Sequence, residues 1–371
     1  MSPLGSQQTN NLLHITVDIW QDKVFFNERE YPAGYFAMSV MNTTTEELGA
    51  LQVKGGAVLN YWERLAKANR KQTKYMLPEL RIALLFLLDD IWRFPPFSLM
   101  DMQAERHALD VMLSDASLGD ITREGSPVRE FFLSYVNGMA RIPPGIYHYA
   151  AAAWTFELDY LRRLGKRRET YFAVAAHDCF NSRDFWKEMK EYDPLSMESF
   201  SVKPQLKSSF VFARSPKDEK EMIFVNRVSF DKYVDFYTFD LFNGLHHGHA
   251  PCKCVNCGRY FLTTTGHMPK YCDGISPQDP ALTCRQIGAQ TRQKEKNKNH
   301  PIYALYSTRT NTIRKHHERG KITGELREAA LYMAESCRKK ALFDNEYAAN
   351  GYAGDMELDS LYAAAKQRLK R

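Results

Sequence analysis

Five of the seven cysteines lie within the 33-residue segment from Cys252 to Cys284. Cys254-Val-Asn-Cys257 has the Cys-x2-Cys spacing of a tight turn that presents two sulfur ligands to one metal ion. Gly258 follows directly, and glycine readily adopts the positive φ that such a turn often needs. In a reducing compartment, clustered cysteines bind metal more often than they form disulfides. The segment is therefore expected to fold around a metal ion.

Two further cysteines complete a candidate ligand set. Residues 260–264 are interpreted as a strand that leaves the turn, and residues 270–272 as a returning strand that ends at Cys272. Cys284 is expected to begin a helix. The pattern Cys-x2-Cys-x14-Cys-x11-Cys predicts a structural zinc ion in a zinc ribbon, held by Cys254, Cys257, Cys272 and Cys284. The last gap lacks a second Cys-x2-Cys pair, so this spacing is less specific than that of the commonest ribbons.

Other interpretations of the cluster stay open at this point. The cysteines could be buried without a ligand, or two of them could form a redox pair, although no thioredoxin-like βαβ pattern surrounds them. Cys252 competes with Cys254 as the partner of Cys257. Four histidines could also replace a thiolate: His246, His247, His249 and His267. Four thiolates leave no open coordination position, so the predicted site is structural and not catalytic.

The string CxxCGRYF…KYCDG…TCR resembles the C-terminal part of an uncharacterised bacterial family that is known only as a domain of unknown function. The cluster is also similar to the CGNR zinc-finger family, whose members are regarded as transcription regulators with a DNA-binding finger. That resemblance implies the same four metal ligands. The sequence departs from it after the last cysteine, where Arg285-Gln286-Ile287-Gly288 stands in place of Gly-Asn-Arg. The DNA contact of that motif is therefore not implied for this chain.

Positive charge is concentrated directly after the last cysteine. Residues 285–321 contain ten Lys or Arg and two Glu, a net charge of +8, whereas the whole chain carries +6. A concentrated basic surface is typical of nucleic-acid binders, although most charge runs are only solvated helix faces. The residues expected to contact nucleic acid are Arg285, Arg292, Lys294, Lys296, Lys298, Arg314 and Lys315.

The pattern of the whole chain predicts a mostly α-helical α+β protein. Short strands are expected within residues 13–42, the last of them at 35–40, and a β-hairpin at 208–228. Helices are expected at about 45–68 and at 78–93, 102–114, 126–139, 146–165, 173–192 and 229–245. The predicted divisions are a disordered N-terminus (1–12), a mainly helical domain (13–205), a connecting hairpin and aromatic helix (206–250), and a zinc-ribbon and basic helical domain (251–371).

Several classes of function find no support in the sequence. It has no signal-peptide pattern and no apolar run long enough to span a membrane, so a cytoplasmic location is expected. None of the phosphate-binding or metalloprotease motifs occurs. His177, Asp178 and Cys179 are adjacent on a predicted helix and point apart, so they do not form a catalytic triad. An enzyme is not expected, although an unrecognised site in the N-terminal half stays an alternative.

The expected function is nucleic-acid binding, with DNA as the polymer and regulation as the role. Zinc would hold the ribbon rigid and fix the start of the basic helix. The main alternative is an interaction module in which zinc is only a brace and the N-terminal domain binds a protein or a small ligand. The sequence leaves open the choice between DNA and RNA, the target sequence, the role of residues 1–200 and the oligomeric state.

Overall fold

Strands that are far apart in sequence form one antiparallel sheet in the computed structural model of the chain. The described residues form seven strands in all, which are β1 (Ile15–Trp20), β2 (Lys23–Phe26), β3 (Arg29–Pro32), β4 (Lys207–Arg214), β5 (Met222–Phe230), β6 (Ala250–Lys253) and β7 (Tyr260–Thr263). The five-stranded sheet has the order β3-β2-β1-β5-β4, and β6 pairs with β7 in a separate two-stranded sheet. Central β1 pairs with β5 from Ile15 opposite Phe230 to Ile19 opposite Asn226. The predicted hairpin is thus completed by the N-terminal strands.

The structure describes residues 8, 10–156, 177, 181–184, 187, 204–216, 218, 220–264, 269–298 and 300–370. The part of the expected helix 146–165 beyond residue 156 lies outside these residues. So does most of the expected helix 173–192 and most of the expected disordered segment 1–12. Leu12, at the end of that segment, is fully buried in the core.

The chain divides into two compact units, unit 1 (Met1–Cys272) and unit 2 (Asp273–Arg371). The segment 206–250, expected as a connection, belongs to unit 1, where its two strands enter the sheet of β1. The division between the units falls within the segment 251–371, which the sequence assigns to a single domain.

Helices make up most of unit 1, which confirms the expected mostly helical α+β class. They are α1 (Tyr35–Val40), α2 (Thr45–Ala66), α3 (Arg70–Ile91), α4 (Met102–Met112), α5 (Asp115–Ile121), α6 (Pro127–Phe156) and α7 (Tyr233–His246). The helix predicted from Thr45 is confirmed, because Thr44 accepts a hydrogen bond from the N–H of Glu47 in a capping box. Its residues Leu48, Leu51 and Val58 are buried.

Residues 35–40 were expected to form a strand, and this prediction is wrong because they form α1. The buried residues Phe36, Ala37 and Val40 have helical spacing. The N-terminus of α1 is satisfied from α7, because the Asp240 carboxylate accepts from the N–H groups of Gly34 at 3.0 Å and Ala37 at 2.9 Å. Local sequence cannot reveal a partner about 200 residues away.

The helices expected at 126–139 and 146–165 are instead one helix, α6, which continues through Pro143 and Pro144. Proline lacks an N–H and normally kinks or ends a helix. Here α6 packs tightly on α2, since a Cβ at Gly55 would lie only 2.9 Å from Cγ of Pro143. Glycine at that position permits the close approach, and helix packing outweighs the lost backbone bonds.

The core of unit 1 contains many large side chains between the sheet and the helices. Phe236 of α7 lies at its centre, with ring centroids 5.3 Å from Phe36 and 5.5 Å from Phe230. Tyr149 and Tyr237 are also fully buried. Burial of such side chains gives unit 1 a core that does not depend on a metal.

Unit 2 is helical throughout its described elements. Its helices are α8 (Cys284–Lys298), α9 (Pro301–Glu318), α10 (Gly324–Phe343), α11 (Asn345–Asn350), α12 (Tyr352–Asp355) and α13 (Leu358–Leu369). The helices are interrupted near Pro301, Gly320 and Gly351. Helix α10 packs against both α9 and α13. The core residues are mostly small: Ile313, Ala329, Ala330, Ala334, Ala341, Tyr352, Met356, Leu361 and Ala365.

Within the described residues, none of the helices combines the length and apolarity needed to span a bilayer.

Candidate metal centre

The turn that carries the first two cysteines lies between β6 and β7. The N–H of Cys254 donates to the Arg259 carbonyl at 2.9 Å, and the N–H of Gly258 donates to the Cys254 carbonyl at 2.9 Å. Gly258 has φ +73°, as predicted from its place after the second cysteine. These bonds direct the sulfurs of Cys254 and Cys257 toward the same point.

The strand pairing of this segment differs from the expectation. Residues 260–263 do form a strand, β7, but its partner is β6, which precedes the turn. Residues 270–272, expected as the returning strand, are not a strand. The N–H of Val255 instead donates to the Lys270 carbonyl at 2.9 Å, and this single bond positions the approach to Cys272.

Cys284 is the first residue of α8, as predicted. Thr283 and Gln286 form a reciprocal cap, with Thr283 Oγ1 accepting from the N–H of Gln286 at 3.2 Å and Gln286 Oε1 accepting from the N–H of Thr283 at 2.8 Å. The N–H of Cys284 donates to the Gly274 carbonyl at 2.8 Å. The cap was missed in the sequence, although Thr-x-x-Gln before a helix is its usual signal.

The structure brings the four predicted ligands together. The sulfurs of Cys254, Cys257, Cys272 and Cys284 all lie within 4.8 Å of one another, and Sγ of Cys257 is 3.7 Å from Sγ of Cys272. A tetrahedron with Zn–S bonds of about 2.3 Å separates its sulfurs by about 3.8 Å. The cluster therefore has dimensions that fit one tetrahedral metal ion.

The protein also stabilises thiolate at this point. Burial opposes ionisation of Cys254, but N–H groups of Cys272, Cys257 and Asn256 point at its sulfur and lower the pKa from 9.0 to about 6. The N–H of Cys272 lies 3.4 Å from Sγ of Cys254. Since the thiolate is the form that binds metal, these backbone donors prepare the site for a cation.

The competing ligands that the structure describes do not join the cluster. Cys252 is buried on β6, where its sulfur lies 3.8 Å from the Ala250 carbonyl. His249 is buried beside the Ala33 carbonyl, with Nδ1 2.9 Å from that oxygen. The rings of His246 and His247 meet edge to face at the end of α7, and His267 lies outside the described residues. Within the described residues, only the four cysteines form a group of three or more metal-binding side chains.

The basic residues predicted to contact nucleic acid lie on two helices of unit 2. On α8, Arg285, Arg292 and Lys294 are exposed, and Arg285 pairs with exposed Asp273 at 2.9 Å, a partner that sequence reasoning missed. Lys296 and Lys298 also belong to α8, and their side chains lie outside the described residues. Arg314 and Lys315 are exposed on α9.

The middle of helix α8 is exposed. Every residue from Ala289 to Glu295 belongs to the exposed class. This stretch therefore presents the basic residues Arg292 and Lys294 and the amides Gln290 and Gln293 to solvent.

Residues 201–368 match the model of a family described as "Family of unknown function (DUF6076)". The match covers the β4–β5 hairpin, α7, all four cysteines and nearly all of unit 2. It confirms that the C-terminal part contains an uncharacterised domain, and the similarity to the CGNR family stays a prediction. No curated protein matches the chain, and no solved structure does.

Proposed function

We propose that this protein binds nucleic acid, with DNA as the polymer, through the basic surface of unit 2. The observation that carries the proposal is the +8 net charge of residues 285–321, which exceeds that of the whole chain. Exposed cations of this density attract phosphates and release their counterions, which drives binding without regard to sequence. The proposal is a binding function and not an enzymatic one.

The exposure of α8 supports this function. The residues from Ala289 to Glu295 are exposed, and the major groove of a duplex is wide enough to admit an α-helix. Arg292 and Lys294 would contact phosphates, and Gln290 and Gln293 could reach base edges. Arg314 and Lys315 on α9 would add phosphate contacts from the same unit.

We propose zinc as the metal. Four thiolates at tetrahedral spacing suit Zn²⁺ and leave no position for a substrate or water. The ion would fix the turn at Cys254 and the first turn of α8 at Cys284. In this role it is a structural brace beside the binding surface and takes no part in chemistry.

An adaptor function is the second candidate. Unit 1 exposes apolar side chains on α2 and α3, where Val53, Ile82 and Phe86 are 74%, 56% and 60% exposed. Apolar patches of this kind often mark protein contacts. An adaptor would use this surface, and the basic residues of unit 2 would then only be solvated.

A salt titration of binding to random duplex DNA tests the proposal. Fluorescence anisotropy should show micromolar or tighter binding at 50 mM salt, weakening steeply toward 200 mM because each phosphate contact adds about 0.9 to the slope of log affinity against log salt. Replacing Arg292→Glu with Lys294→Glu should lower the affinity at least tenfold and reduce the slope by about 2, since two contacts are lost.

A matched control carries the same change of charge elsewhere. Lys71→Glu with Lys74→Glu alters two exposed residues of α3 in unit 1 and should leave both affinity and slope nearly unchanged. Equal losses in the two double variants would mean that only net charge matters. No binding at low salt would contradict the proposed function, provided that the protein contains its metal by elemental analysis.

A further inference from the structure

Within the part of the chain that the structure describes, strand β4 forms an edge of the five-stranded sheet. Among the described strands its only neighbour is β5, which it pairs from Lys207 opposite Ser229 to Arg214 opposite Met222. Its side chains are mostly exposed, with Phe210 at 75% and Phe212 at 64%. A free edge of eight residues carries a row of unpaired N–H and C=O groups.

The edge lacks the usual protection against pairing. Monomeric proteins place a lysine, a proline or a bulge within an exposed edge strand. The β4 sequence KSSFVFAR has charges only at its two ends and apolar residues at its centre. This edge is therefore suited to pairing with a further strand.

The exposed phenylalanines extend the apolar face of the sheet. Phe212 lies opposite Phe224 with ring centroids 4.6 Å apart, and Phe224 is 66% exposed. Because side chains alternate along a strand, this face continues along β5 to Val228 and Phe230, which are buried in the core. The face of the sheet that is buried at Val228 and Phe230 is thus exposed to solvent at Phe212 and Phe224 of the hairpin.

We propose that the partner of this edge is β4 of a second copy of the chain, paired antiparallel about a two-fold axis. Residues directly opposite each other in an antiparallel pair point to the same face of the sheet, whereas neighbouring residues of one strand point to opposite faces. The two-fold axis must therefore pass through a residue of β4 and not between two residues. An axis at Val211 places Phe210 opposite Phe212 of the second copy. By symmetry, Phe212 then lies opposite Phe210 of the second copy, so the interface contains two aromatic pairs. Axes at neighbouring residues give fewer aromatic pairs.

The charges of β4 are compatible with this register. Lys207 would face Arg214 of the second copy only if the axis fell between Phe210 and Val211. That position is excluded, because it would place side chains of opposite faces directly opposite each other. With the axis at Val211, Arg214 faces Ser208 of the second copy, and Lys207 faces Ser215. Like charges therefore never oppose each other, and a symmetric dimer with one continuous sheet results.

The interface is small, so the dimer should be reversible. It consists of one strand pair with two aromatic pairs, which falls at the low end of specific interfaces. We expect a dissociation constant of about 1–100 µM for it. Sedimentation velocity of the full-length, metal-containing protein under reducing conditions should show monomer and dimer exchanging over this range.

The register gives a test that depends on the sign of a charge. Ser208→Glu would place an acid opposite Arg214 of the second copy and tighten the dimer, whereas Ser208→Lys would oppose two cations and weaken it. Two cross-strand charge pairs should separate the variants from wild type by roughly 2- to 30-fold each, in opposite directions. Both variants lose the hydrogen bond from Ser208 to Asn226 equally.

Ser209 provides the matched control, because it is exposed on the other face and would oppose Ala213 of the second copy. Ser209→Glu and Ser209→Lys should therefore give similar dissociation constants. Phe210→Ala with Phe212→Ala should abolish the dimer while circular dichroism shows an intact fold, since both rings are exposed.

Three results would overturn the proposal. The first is a protein that stays monomeric above 100 µM, which would also be found if another protein supplies the covering strand. The second is a dimer that responds equally to Glu and Lys at position 208. The third is a dimer that survives the loss of both phenylalanines. None of these results bears on nucleic-acid binding, which depends on residues of unit 2.

Discussion

The two units of this protein are stabilised by cores of opposite character. Unit 1 buries large rings such as Phe36, Phe230 and Phe236 between a sheet and helices. Unit 2 buries Ala330 and Ala334 where α10 meets its neighbours. Large side chains contribute by the apolar area they remove from water, whereas alanines contribute by letting helix backbones approach closely. The units should therefore respond differently to the same kind of substitution.

The strands that carry the cysteine turn pack on the core of unit 1 through Ala250 and Tyr260, but the turn itself has no core. The two strands, β6 and β7, have four residues each, and a two-stranded sheet of that size is marginal in water. Backbone bonds at Cys254, Val255 and Gly258 shape the turn, where Val255 and Gly258 are exposed. Since neither kind of core stabilises this turn, we expect a bound metal to do so.

The largest expected effect comes from removing the metal. Cys272→Ser should reduce the metal content from one equivalent per chain to near zero, because it removes one of the four thiolate ligands. The effect on the folding of this segment should be large, because structural zinc sites contribute on the order of 10 kcal/mol. The amides of Cys254, Val255 and Gly258 should then lose protection in hydrogen exchange, while those of α2 and α6 keep theirs. Elemental analysis and exchange mass spectrometry measure the two parts.

Two cysteines outside the cluster serve as controls for that result. Cys252→Ser and Cys337→Ser should retain one equivalent of metal, because neither sulfur belongs to the four-sulfur group. A Cys252→Ser protein without metal would mean that Cys252 replaces one of the proposed ligands. Full protection of the turn in the metal-free Cys272→Ser protein would contradict the view that metal stabilises it.

A pair of core substitutions tests the contrast between the units directly. Phe236→Ala should destabilise unit 1 by about 3–5 kcal/mol, because it leaves a cavity among packed rings. Ala330→Leu should destabilise unit 2 by about 1–3 kcal/mol, because the site has no room for a larger side chain. Denaturant titrations read by hydrogen exchange would assign each loss to its unit.

The matched controls change the size of the side chain less, or in the opposite direction. Phe236→Leu keeps most of the volume and should cost less than Phe236→Ala. Ala330→Gly should cost about 1 kcal/mol through helix propensity. If Ala330→Leu were neutral, unit 2 would contain free space, and the proposed reason for its alanine-rich core would be wrong.

Local patterns were sufficient to predict part of this architecture. The start of α2, the glycine after Cys257 and the four ligands were all readable, because each depends on residues close in sequence or on a known spacing. To predict Cys272 and Cys284 as ligands, it was enough to assume that the chain returns to the turn that carries Cys254 and Cys257. Side-chain chemistry at short range is therefore what the sequence conveys most directly.

Two errors share one physical cause, which is contact between distant segments. Residues 35–40 form a helix because Asp240 satisfies its N-terminus, and α6 passes through Pro143 because Gly55 lets α2 approach. The pairing of β5 with β1 was equally invisible. In each case tertiary packing overrides a local preference that would otherwise predict a different element.

Asp240 gives a smaller effect that depends on pH. Burial raises its pKa from 3.8 to about 6, although the backbone N–H groups of Ala37, Gly34 and Phe36 oppose the shift. The folded protein therefore holds a proton that the unfolded chain releases between pH 4 and 6, so stability should fall by up to about 3 kcal/mol as pH rises across this window. Chemical denaturation at a series of pH values measures it.

Asp240→Asn removes the titrating group at nearly constant size. Its stability at pH 4 should be lower than that of the wild type, because the amide can satisfy fewer of the N–H groups at α1. Its slope between pH 4 and 6 should be flatter. An unchanged slope would show that another group causes the dependence.

The smallest expected effects come from the helix caps, one in each unit. Thr44 and Thr323 are exposed and accept from N–H groups of Glu47 at 3.2 Å and Leu326 at 3.3 Å. Only Thr44 has a reciprocal bond, from its own N–H to Glu47. Thr44→Ala should therefore cost about 1–2 kcal/mol and Thr323→Ala about 0.5–1 kcal/mol. Thr→Ser at either position keeps the acceptor and should cost little, so equal losses for serine and alanine would exclude capping as the cause.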